Sequence, residues 1–405
     1  SEDIRTIGRQ KVIRVAFRDR GTGLRNISVA LSQENKSHVL AASVFPQKGA
    51  KQKTFSLAVD PPALKLHDGF AVLSVVAVDF SMWKNKTVIE RPVNIDLIPP
   101  QIFLLTPTNN INTGGTCVVA FRTSEPVVAS GVQVNGNFSP GYPATLAGKP
   151  AVIVYFGLPP DAGEKGAAIR LIARDGGENE THITLSPLIR NKKFRSDKMK
   201  LSDGFLNQKM PDFQPLSPDL QGKSPLEIFT YVNGQMRNAN DNAIREMCRK
   251  SEPRQLWEGT FLRMKNASPM ALFGDRRTYL YGNKTIGEST HFGVDLASTA
   301  NAPVEASNNG IVTFTGALGI YGNTIIMDHG FGIFSIYGHL SVIKVNAGQP
   351  VKKGEVIGNS GATGLAGGDH LHFGMLAGGQ FVNPLEWWDP HWLKDNVADK
   401  LAQGS

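Results

Sequence analysis

Short runs of alternating or β-branched residues, separated by clusters of turn residues, recur through the first half of the chain and restrict it to strand-rich folds. Within residues 1–98 these runs lie at residues 11–17, 25–31, 37–45, 54–59, 71–78 and 87–95. Turn-forming segments such as Asp60-Pro-Pro62 separate them. Because short runs between turn signals are typical of antiparallel sheets, the pattern predicts a β-sandwich over residues 1–98.

A second strand-rich region follows the segment Ile98-Pro-Pro100 and extends to residue 189. Its runs lie near residues 101–105, 116–121, 127–134, 151–157, 167–173 and 181–185. Residues 172–179 repeat the order seen at residues 76–85, which is an apolar run, an aspartate and a polar turn with an asparagine. This order indicates a weak internal repeat of about 95 residues. Both regions resemble bacterial immunoglobulin-like modules, which implies two tandem sandwiches, over residues 1–98 and 99–189.

Residues 190–256 are interpreted as a basic linker with one helix. The stretch up to Lys223 is polar, basic and proline-bearing, whereas Ser224-Pro225 followed by Glu227 is a helix N-terminal signature. Apolar residues then recur at spacings of three and four as far as Met247, so one face of the helix should pack. Two roles remain open for this segment: packing against a neighbouring domain, or covering a groove in the domain that follows.

The third region, residues 257–390, again alternates short strands with glycine turns. Strand-like runs lie at residues 310–315, 323–328, 332–337, 352–357 and 370–376, and no helical pattern competes with them before the tail that follows Trp388. The sequence therefore predicts an antiparallel β domain here, followed by a tail at residues 391–405, and a mainly β fold for the whole chain.

Two histidine clusters stand out in this third region. His370 and His372 are two residues apart, so in an extended strand their side chains project from the same face. Asp295 lies four residues after His291, and two imidazoles with one carboxylate match an open zinc site whose fourth position holds water. Any one of these histidines alone would more often be structural; the set of them predicts a metal centre.

The blocks around these residues resemble, in identity and order, those of the lysostaphin-like (LytM-type) zinc metalloendopeptidases. In chain order the blocks are His291-x-Gly-x-Asp295, Tyr321-Gly-Asn-Thr, Asp328-His-Gly, Tyr337-Gly-His-Leu340, Gly358-x-Ser-Gly-x-Thr-Gly364 and His370-Leu-His-Phe373. The resemblance covers residues 257–390 and implies a LytM-type antiparallel β peptidase domain there.

The resemblance also implies roles for individual residues. It implies that His291, Asp295 and His372 bind Zn²⁺ and that His339 and His370 are catalytic. In the same blocks, Tyr321 and Asn323 are candidates for lining the substrate groove, although a tyrosine at a strand end is as often a cap on the core.

The implied function is zinc-dependent hydrolysis of peptide cross-links in bacterial peptidoglycan, with the bond from D-alanine to meso-diaminopimelate favoured. The alternative is a LytM-like protein without enzymatic activity that activates cell-wall amidases. Because all three ligands and both catalytic histidines are present, the sequence favours the enzyme. The sandwich regions carry only isolated histidines and could be spacers, bind the wall or dock a cell-envelope protein.

Charge and composition limit the partners and the compartment. The net charge of +8 favours an anionic partner such as a cell-wall polymer, a membrane surface or nucleic acid, but the basic residues are scattered, no nucleic-acid motif occurs, and a solvated surface explains most of them. The family resemblance implies peptidoglycan as the partner, and nucleic acid is not expected. There is no apolar run of about 18 residues and no signal peptide at Ser1, which a mature chain would have lost. These features fit a periplasmic or secreted protein of the cell envelope.

Cys117 and Cys248 are expected to be buried thiols, although a disulfide between them stays open.

Overall fold

The computed structural model describes residues 4–107 and 110–403. The chain divides into two compact units, and each is considered by itself. The first contains the chain up to Ile102 with the segments Thr123–Ser130 and Ile172–His182, and the second contains Phe103–Arg122, Gly131–Leu171 and the chain from Ile183 onward. The predicted domain limits at residues 98, 189 and 256 stay predictions.

The N-terminal strands form two sheets around one apolar core. The strands are β1 Thr6–Ile7, β2 Lys11–Arg18, β3 Leu24–Gln33, β4 Lys36–Val44, β5 Gln52–Val59, β6 Gly69–Asp79 and β7 Lys86–Ile95. One sheet has the order β1-β7-β6-β3-β4, and β2 pairs with β5. Ile13 from the pair and Ile27, Leu31 and Leu73 from the larger sheet are all buried in the shared core. All six predicted runs are strands, because alternate apolar positions face this core.

The next strands form smaller sheets. They are β8 Ile102–Leu104, β9 Ile111–Asn112, β10 Thr116–Thr123, β11 Ala129–Val134, β12 Asn137–Pro140, β13 Tyr142–Leu146, β14 Lys149–Gly157, β15 Ile169–Arg174, β16 Glu180–Leu185 and β17 Ile189–Arg190. A short helix, α1 Ala162–Lys165, lies between β14 and β15. The sheets have the orders β13-β14-β10-β8 and β12-β11-β15-β16, and β17 pairs with β9.

The linker region contains more structure than the sequence indicated. Its elements are β18 Ser196–Lys200, α2 Asp203–Lys209, three 3-10 turns (Met210–Asp212, Gln214–Leu216 and Pro218–Leu220), α3 Pro225–Tyr231, a π-helical turn Val232–Met236, and α4 Arg237–Met247. The predicted start of α3 is confirmed: the Ser224 side chain accepts from the Glu227 N–H, and the Glu227 carboxylate accepts from the Ser224 N–H at 2.8 Å. Strand β18 and helix α2 had no clear sequence signal.

The C-terminal region is built on one large antiparallel sheet. Its strands are β19 Ser268–Ala271, β20 Arg276–Tyr281, β21 Lys284–Thr290, β22 Val294–Ala297, β23 Pro303–Glu305, β24 Gly310–Ala317, β25 Asn323–Asp328, β26 Ile333–Leu340, β27 Val342–Ile343, β28 Pro350–Val351, β29 Val356–Asn359, β30 Leu371–Ala377 and β31 Gln380–Val382. The large sheet has the order β19-β22-β30-β26-β25-β24-β28, with β31 added beside β30. Strands β23, β29 and β27 form a small sheet, and β18, β20 and β21 form another.

Helices in this region are short and terminal. They are α5 Pro384–Trp388, α6 Pro390–Leu393 and α7 Asp399–Gln403, with a 3-10 turn at Gly319–Tyr321 and a π-helical turn at Lys394–Ala398. The sequence predicted no helix in this domain before the tail that follows Trp388, and this was wrong, since α5 already ends at Trp388. The helix forms there because the Asn383 side chain caps it and Pro384 fits the first helical position. No helix among the described residues has both the length and the hydropathy that a membrane crossing requires.

The large sheet is buried on both faces, which explains why its strands are almost continuously apolar. In β25, Ile325 and Met327 pack with Trp257, Trp387 and residues of β10 and β14 on one face. Ile326 between them packs on the other face with α3 and α4, through residues such as Phe229. The linker helices therefore complete one of the two cores of the sheet, and the mainly β fold is confirmed.

Candidate metal centre and active site

Two neighbouring strands bring the three predicted metal ligands together. Asp295 in β22 lies directly opposite His372 in β30, and His291 lies just before β22. His291 Nε2 is 2.9 Å from Asp295 Oδ1 and 3.0 Å from His372 Nδ1, and His372 Nδ1 is 2.9 Å from the same Asp295 oxygen. Three donor atoms distant in sequence therefore converge on one point.

Hydrogen bonding shows that these residues suit a cation. The Nδ1 of His291 lies 3.0 Å from the Leu272 carbonyl oxygen and must donate to it, so Nε2 of the neutral ring carries a lone pair. That lone pair faces a carboxylate oxygen of Asp295, which also only accepts. A proton on His372 Nδ1 would serve only one of its two contacts, and the contact between His291 Nε2 and Asp295 Oδ1 would still have no proton. In tetrahedral zinc sites donors lie about 3.3 Å apart, within a few tenths of an ångström of the distances here.

The electrostatics of two of the predicted ligands, Asp295 and His372, fit the same role. Burial alone would raise the pKa of Asp295, but the imidazoles, His291 first, hold the pKa of this carboxyl well below its usual range. Burial lowers the pKa of His372 to about 4, so its imidazole is neutral at pH 7. The His372 Nε2 is also buried, and none of the described residues forms a hydrogen bond with it. A carboxylate at Asp295 and a neutral imidazole at His372 are the protonation states that bind zinc.

His370 and His339, the two predicted catalytic residues, lie beside the ligands with their rings 4.8 Å apart. The Nδ1 of His370 lies 2.9 Å from the Gly368 carbonyl, and the Nδ1 of His339 lies 2.8 Å from the Thr363 carbonyl. Each backbone carbonyl fixes its ring with the proton on Nδ1, which leaves Nε2 free to accept a proton. The His370 Nε2 is 3.6 Å from Asp295 Oδ1.

The two histidines differ in environment. Burial lowers the pKa of His339 well below its usual value, and the nearby imidazoles of His370 and His372 add to the effect. Burial also opposes charge on His370, but the Asp295 carboxylate outweighs it and raises the pKa of His370. His339 has φ of +62°, a left-handed conformation that non-glycine residues rarely adopt and that is concentrated at functional sites.

The two candidate substrate residues occupy different places. Tyr321 is buried with its ring 5.3 Å from that of His372, and its hydroxyl donates to Asp241 Oδ1 at 2.7 Å. Asn323 donates from Nδ2 to the Leu340 carbonyl at 3.1 Å. Tyr321 therefore borders the cavity at the predicted metal centre and packs against the ring of His372. Asn323 instead holds the end of β26 and is not among the described residues that line this cavity.

Sequence reasoning missed three contributors to the site. Arg277 Nη2 lies 3.3 Å from the second carboxylate oxygen of Asp295, and Asp241 in α4 holds Tyr321. Strand β18 borders the same cavity, whose volume is about 860 Å³. Arg277 lies in the segment Phe273-Gly-Asp-Arg-Arg277, outside the blocks that carry the family resemblance. Asp241 is a polar residue within a helical pattern, where nothing distinguishes it.

Two other histidines and both cysteines lie outside this site. His329 is buried, with Nδ1 2.7 Å from the Asn309 carbonyl and Nε2 2.7 Å from Ser335 Oγ, and burial lowers its pKa to about 4. His391 is exposed in α6. Cys117 and Cys248 are both free and buried, so the expected thiols are present and the disulfide is not.

Comparison with known proteins identifies relatives of this region. Residues 289–384 match the profile of Peptidase family M23. The DD-carboxypeptidase/endopeptidase Mpg of Neisseria meningitidis serogroup B is 43% identical over 95 residues, which is 24% of this chain and 22% of that protein. The peptidoglycan DD-endopeptidase ShyA of Vibrio cholerae is 38% identical over 96 residues, again 24% and 22%. The match thus spans about a fifth of these two relatives.

A third relative is matched over nearly its whole length. The lipoprotein NlpD of Yersinia enterocolitica is 38% identical over 94 residues, which is 23% of this chain and 96% of that sequence. The matched family segment begins just before His291 and ends at Pro384, so it contains the three predicted metal ligands and the two neighbouring histidines.

Proposed function

The chain belongs to peptidase family M23 through its C-terminal domain, and we propose that it is a zinc-dependent endopeptidase that hydrolyses the peptide cross-links of bacterial peptidoglycan. The observation that carries the proposal is the cluster of His291, Asp295 and His372, whose donor atoms lie 2.9 to 3.0 Å apart. Beside it, His339 and His370 each present an Nε2 that can accept a proton. This is the composition of a hydrolytic zinc site.

The three ligands would hold Zn²⁺, and the neighbouring histidines would handle protons. When bound, zinc supplies a water of pKa near 7 and polarises the scissile carbonyl. His370, whose Nε2 lies nearer to Asp295, takes the proton of the attacking water. His339 donates a proton to the departing amine or stabilises the oxyanion. The Gly368 and Thr363 carbonyls keep both rings in the tautomer that these roles need.

The favoured substrate bond joins D-alanine to meso-diaminopimelate. Support comes from two relatives, the peptidoglycan DD-endopeptidase ShyA and the DD-carboxypeptidase/endopeptidase Mpg, together with the open cavity of about 860 Å³ that reaches His339 and His370. A cavity of this size accommodates a short peptide segment.

The enzyme would act in the cell envelope, as a periplasmic or secreted protein. Its N-terminal sandwich domains would bind a cell-envelope protein partner.

The test combines metal analysis with product analysis. Purified chain should contain zinc and should convert cross-linked muropeptides to monomers, which mass spectrometry resolves. His370→Ala should retain zinc but hydrolyse about 100- to 10,000-fold more slowly, because a general base is lost. Asp295→Ala should lose both zinc and hydrolysis. The exposed His391→Ala variant is the matched control and should behave as the parent.

Two outcomes would contradict the proposal. If His370→Ala and Asp295→Ala digest peptidoglycan as well as the parent, the residue roles are wrong. If the parent binds zinc, leaves muropeptides intact and increases amidase activity, the alternative of a non-enzymatic amidase activator replaces the proposal.

A further inference from the structure

Strand β18 is an edge strand that the linker region contributes to the metal-centre cavity. It pairs in parallel with β20, and the sheet order β18-β20-β21 leaves its other edge without a neighbouring strand among the described residues. Asp197 of β18 lies opposite Arg277 of β20, and Arg277 contacts the metal ligand Asp295. Strand β18 is therefore separated from the predicted metal centre by a single strand, β20.

The hydrogen bonds between β18 and β20 define which backbone groups are free. The Arg276 N–H donates to the Arg195 carbonyl and the Leu201 N–H donates to the Leu280 carbonyl, both at 2.8 Å. Because backbone groups in a strand alternate in direction, the odd-numbered residues of β18 bond to β20. The N–H and C=O groups of Ser196, Lys198 and Lys200 therefore point to the free edge, where the described residues offer them no backbone partner.

The cavity follows this free edge. Five consecutive residues, Asp197 to Leu201, line it, and so do Asp295, His339 and His370. Successive side chains of a strand point to opposite faces, so a cavity that touches five in a row runs along the edge and not over one face. An extended peptide lying along β18 would reach the metal centre.

The side chains on this edge carry uncompensated positive charge. Lys198 and Lys200 are exposed and form no ion pair within residues 4–107 and 110–403. Arg195 nearby differs, since it contacts Asp197 and Asp275 at 2.8 Å each. Arg237, which also lines the cavity, donates to the Asn233 side-chain oxygen and forms no ion pair within the described part of the chain, although its charge acts on the buried Asp241. An anionic ligand is favoured on this wall.

We propose that the free edge of β18 binds the substrate peptide as an added strand, and that Lys198 and Lys200 select peptides that carry free carboxylates. The inference rests on the proposed function, because it takes the occupant to be a cross-link peptide of the wall. Backbone hydrogen bonds along the edge supply affinity, and lysine–carboxylate contacts supply the preference. Peptides whose carboxylates are amidated would bind the same edge more weakly.

The experiment measures binding separately from turnover. Zinc-loaded full-length chain carrying His370→Ala is titrated with cross-linked muropeptides whose free carboxylates are either intact or amidated. The free form should bind about three- to tenfold more tightly, because two exposed charge contacts are at stake, and the difference should shrink as salt is added. Lys198→Gln with Lys200→Gln should abolish the preference. Lys192→Gln with Lys193→Gln, on exposed linker residues that do not line the cavity, should keep it.

A proline substitution isolates the backbone contribution. Lys198→Pro removes the charge and the outward N–H without breaking a bond to β20, whereas Lys198→Gln removes only the charge. The proline variant should bind about two- to tenfold more weakly than the glutamine variant, the effect of one hydrogen bond. Ser196→Pro removes an outward N–H at a residue outside the cavity and should bind as the parent does.

The outcomes separate this inference from the proposed function. If Lys198→Gln with Lys200→Gln keeps the carboxylate preference, or if Lys198→Pro binds as tightly as Lys198→Gln while Ser196→Pro is folded, the inference is overturned. If the parent fails to hydrolyse any cross-link but the binding pattern appears, the proposed function falls and the binding edge stands.

Discussion

The Tyr321 hydroxyl donates a hydrogen bond of 2.7 Å to Asp241, a residue of helix α4 that precedes the peptidase domain in the sequence. Both side chains are buried, and the Tyr321 ring packs 5.3 Å from the ring of His372, a predicted metal ligand. Helix α4, which lies outside the family match at residues 289–384, thus holds Tyr321 in place beside His372. The linker is part of the structure of the site.

Replacing Tyr321 with Phe should therefore destabilise the second unit. The change leaves the buried Asp241 carboxyl without its hydroxyl donor, which costs about 1–3 kcal/mol, and calorimetric unfolding should show a lower midpoint. Tyr281→Phe is the matched control, because its hydroxyl makes a bond of the same length, 2.7 Å, to Asp203 at the surface, where water can replace it. Equal shifts in the two variants would show that burial of the Tyr321–Asp241 pair is unimportant.

A methyl group at Gly293 should weaken zinc binding. A Cβ at this position would lie 2.5 Å from His372 Cε1 and 2.7 Å from the Phe373 carbonyl oxygen, so the His372 ring must move. We expect Gly293→Ala to lower zinc affinity by about 10- to 100-fold, the usual effect of disturbing the support of a ligand. Competition with a chromophoric chelator measures this.

Gly367→Ala is the control for that substitution. Gly367 lines the same cavity, but a Cβ there would meet nothing within 4 Å. Its zinc affinity should match that of the parent. Unchanged affinity in Gly293→Ala as well would mean that the ring of His372 tolerates displacement.

A chain that starts at Trp257 should fold poorly. Without residues 190–256, the apolar face formed by Phe273, Tyr279 and Ile326 would lose the helices that cover it. We expect low solubility and a weak near-ultraviolet circular dichroism signal from this fragment. In the full chain, Phe229→Ala alone should cost about 3–5 kcal/mol, since Phe229 is fully buried against Tyr279. A soluble fragment more active than the full chain would instead support the groove-cover role.

Local patterns predicted the strands of the N-terminal region, whereas the convergence of His291, Asp295 and His372 was predicted from the order of the family blocks. Alternation puts apolar residues on one face of a strand, and the spacing of His370 and His372 is visible in three consecutive residues. The family resemblance is confirmed. The roles of His339 and His370 stay predictions that their carbonyl-bonded rings support.

The rest of the site depends on tertiary contacts that leave no local pattern. Strand β18 is basic and unlike a typical strand, and it forms because β20 offers an unpaired edge. Asp241 becomes important only once α4 packs beneath Tyr321. Such contacts join positions 80 residues apart, and no periodicity in one sequence records them.

The stability contributed by Glu386 should depend on pH. This buried residue of α5 accepts hydrogen bonds from the Thr116 N–H at 2.8 Å and the Asn112 side chain at 3.1 Å, which joins α5 to β9 and β10. Burial raises the pKa of Glu386 above its ordinary value of 4.5. The native chain therefore holds this proton more tightly than the unfolded chain does. The resulting stabilisation is fully present below pH 4.5 and is lost as the pH rises through the raised pKa.

Glu386→Ala should consequently lower the unfolding midpoint more at pH 4 than at pH 8. Calorimetric scans of parent and variant at both pH values measure the difference. Glu355→Ala removes an exposed carboxylate from the same region and controls for the general loss of one negative charge. A Glu386→Ala difference that is larger at pH 8 would mean that the charged form is the better partner for Thr116 and Asn112, and the burial argument would then be wrong.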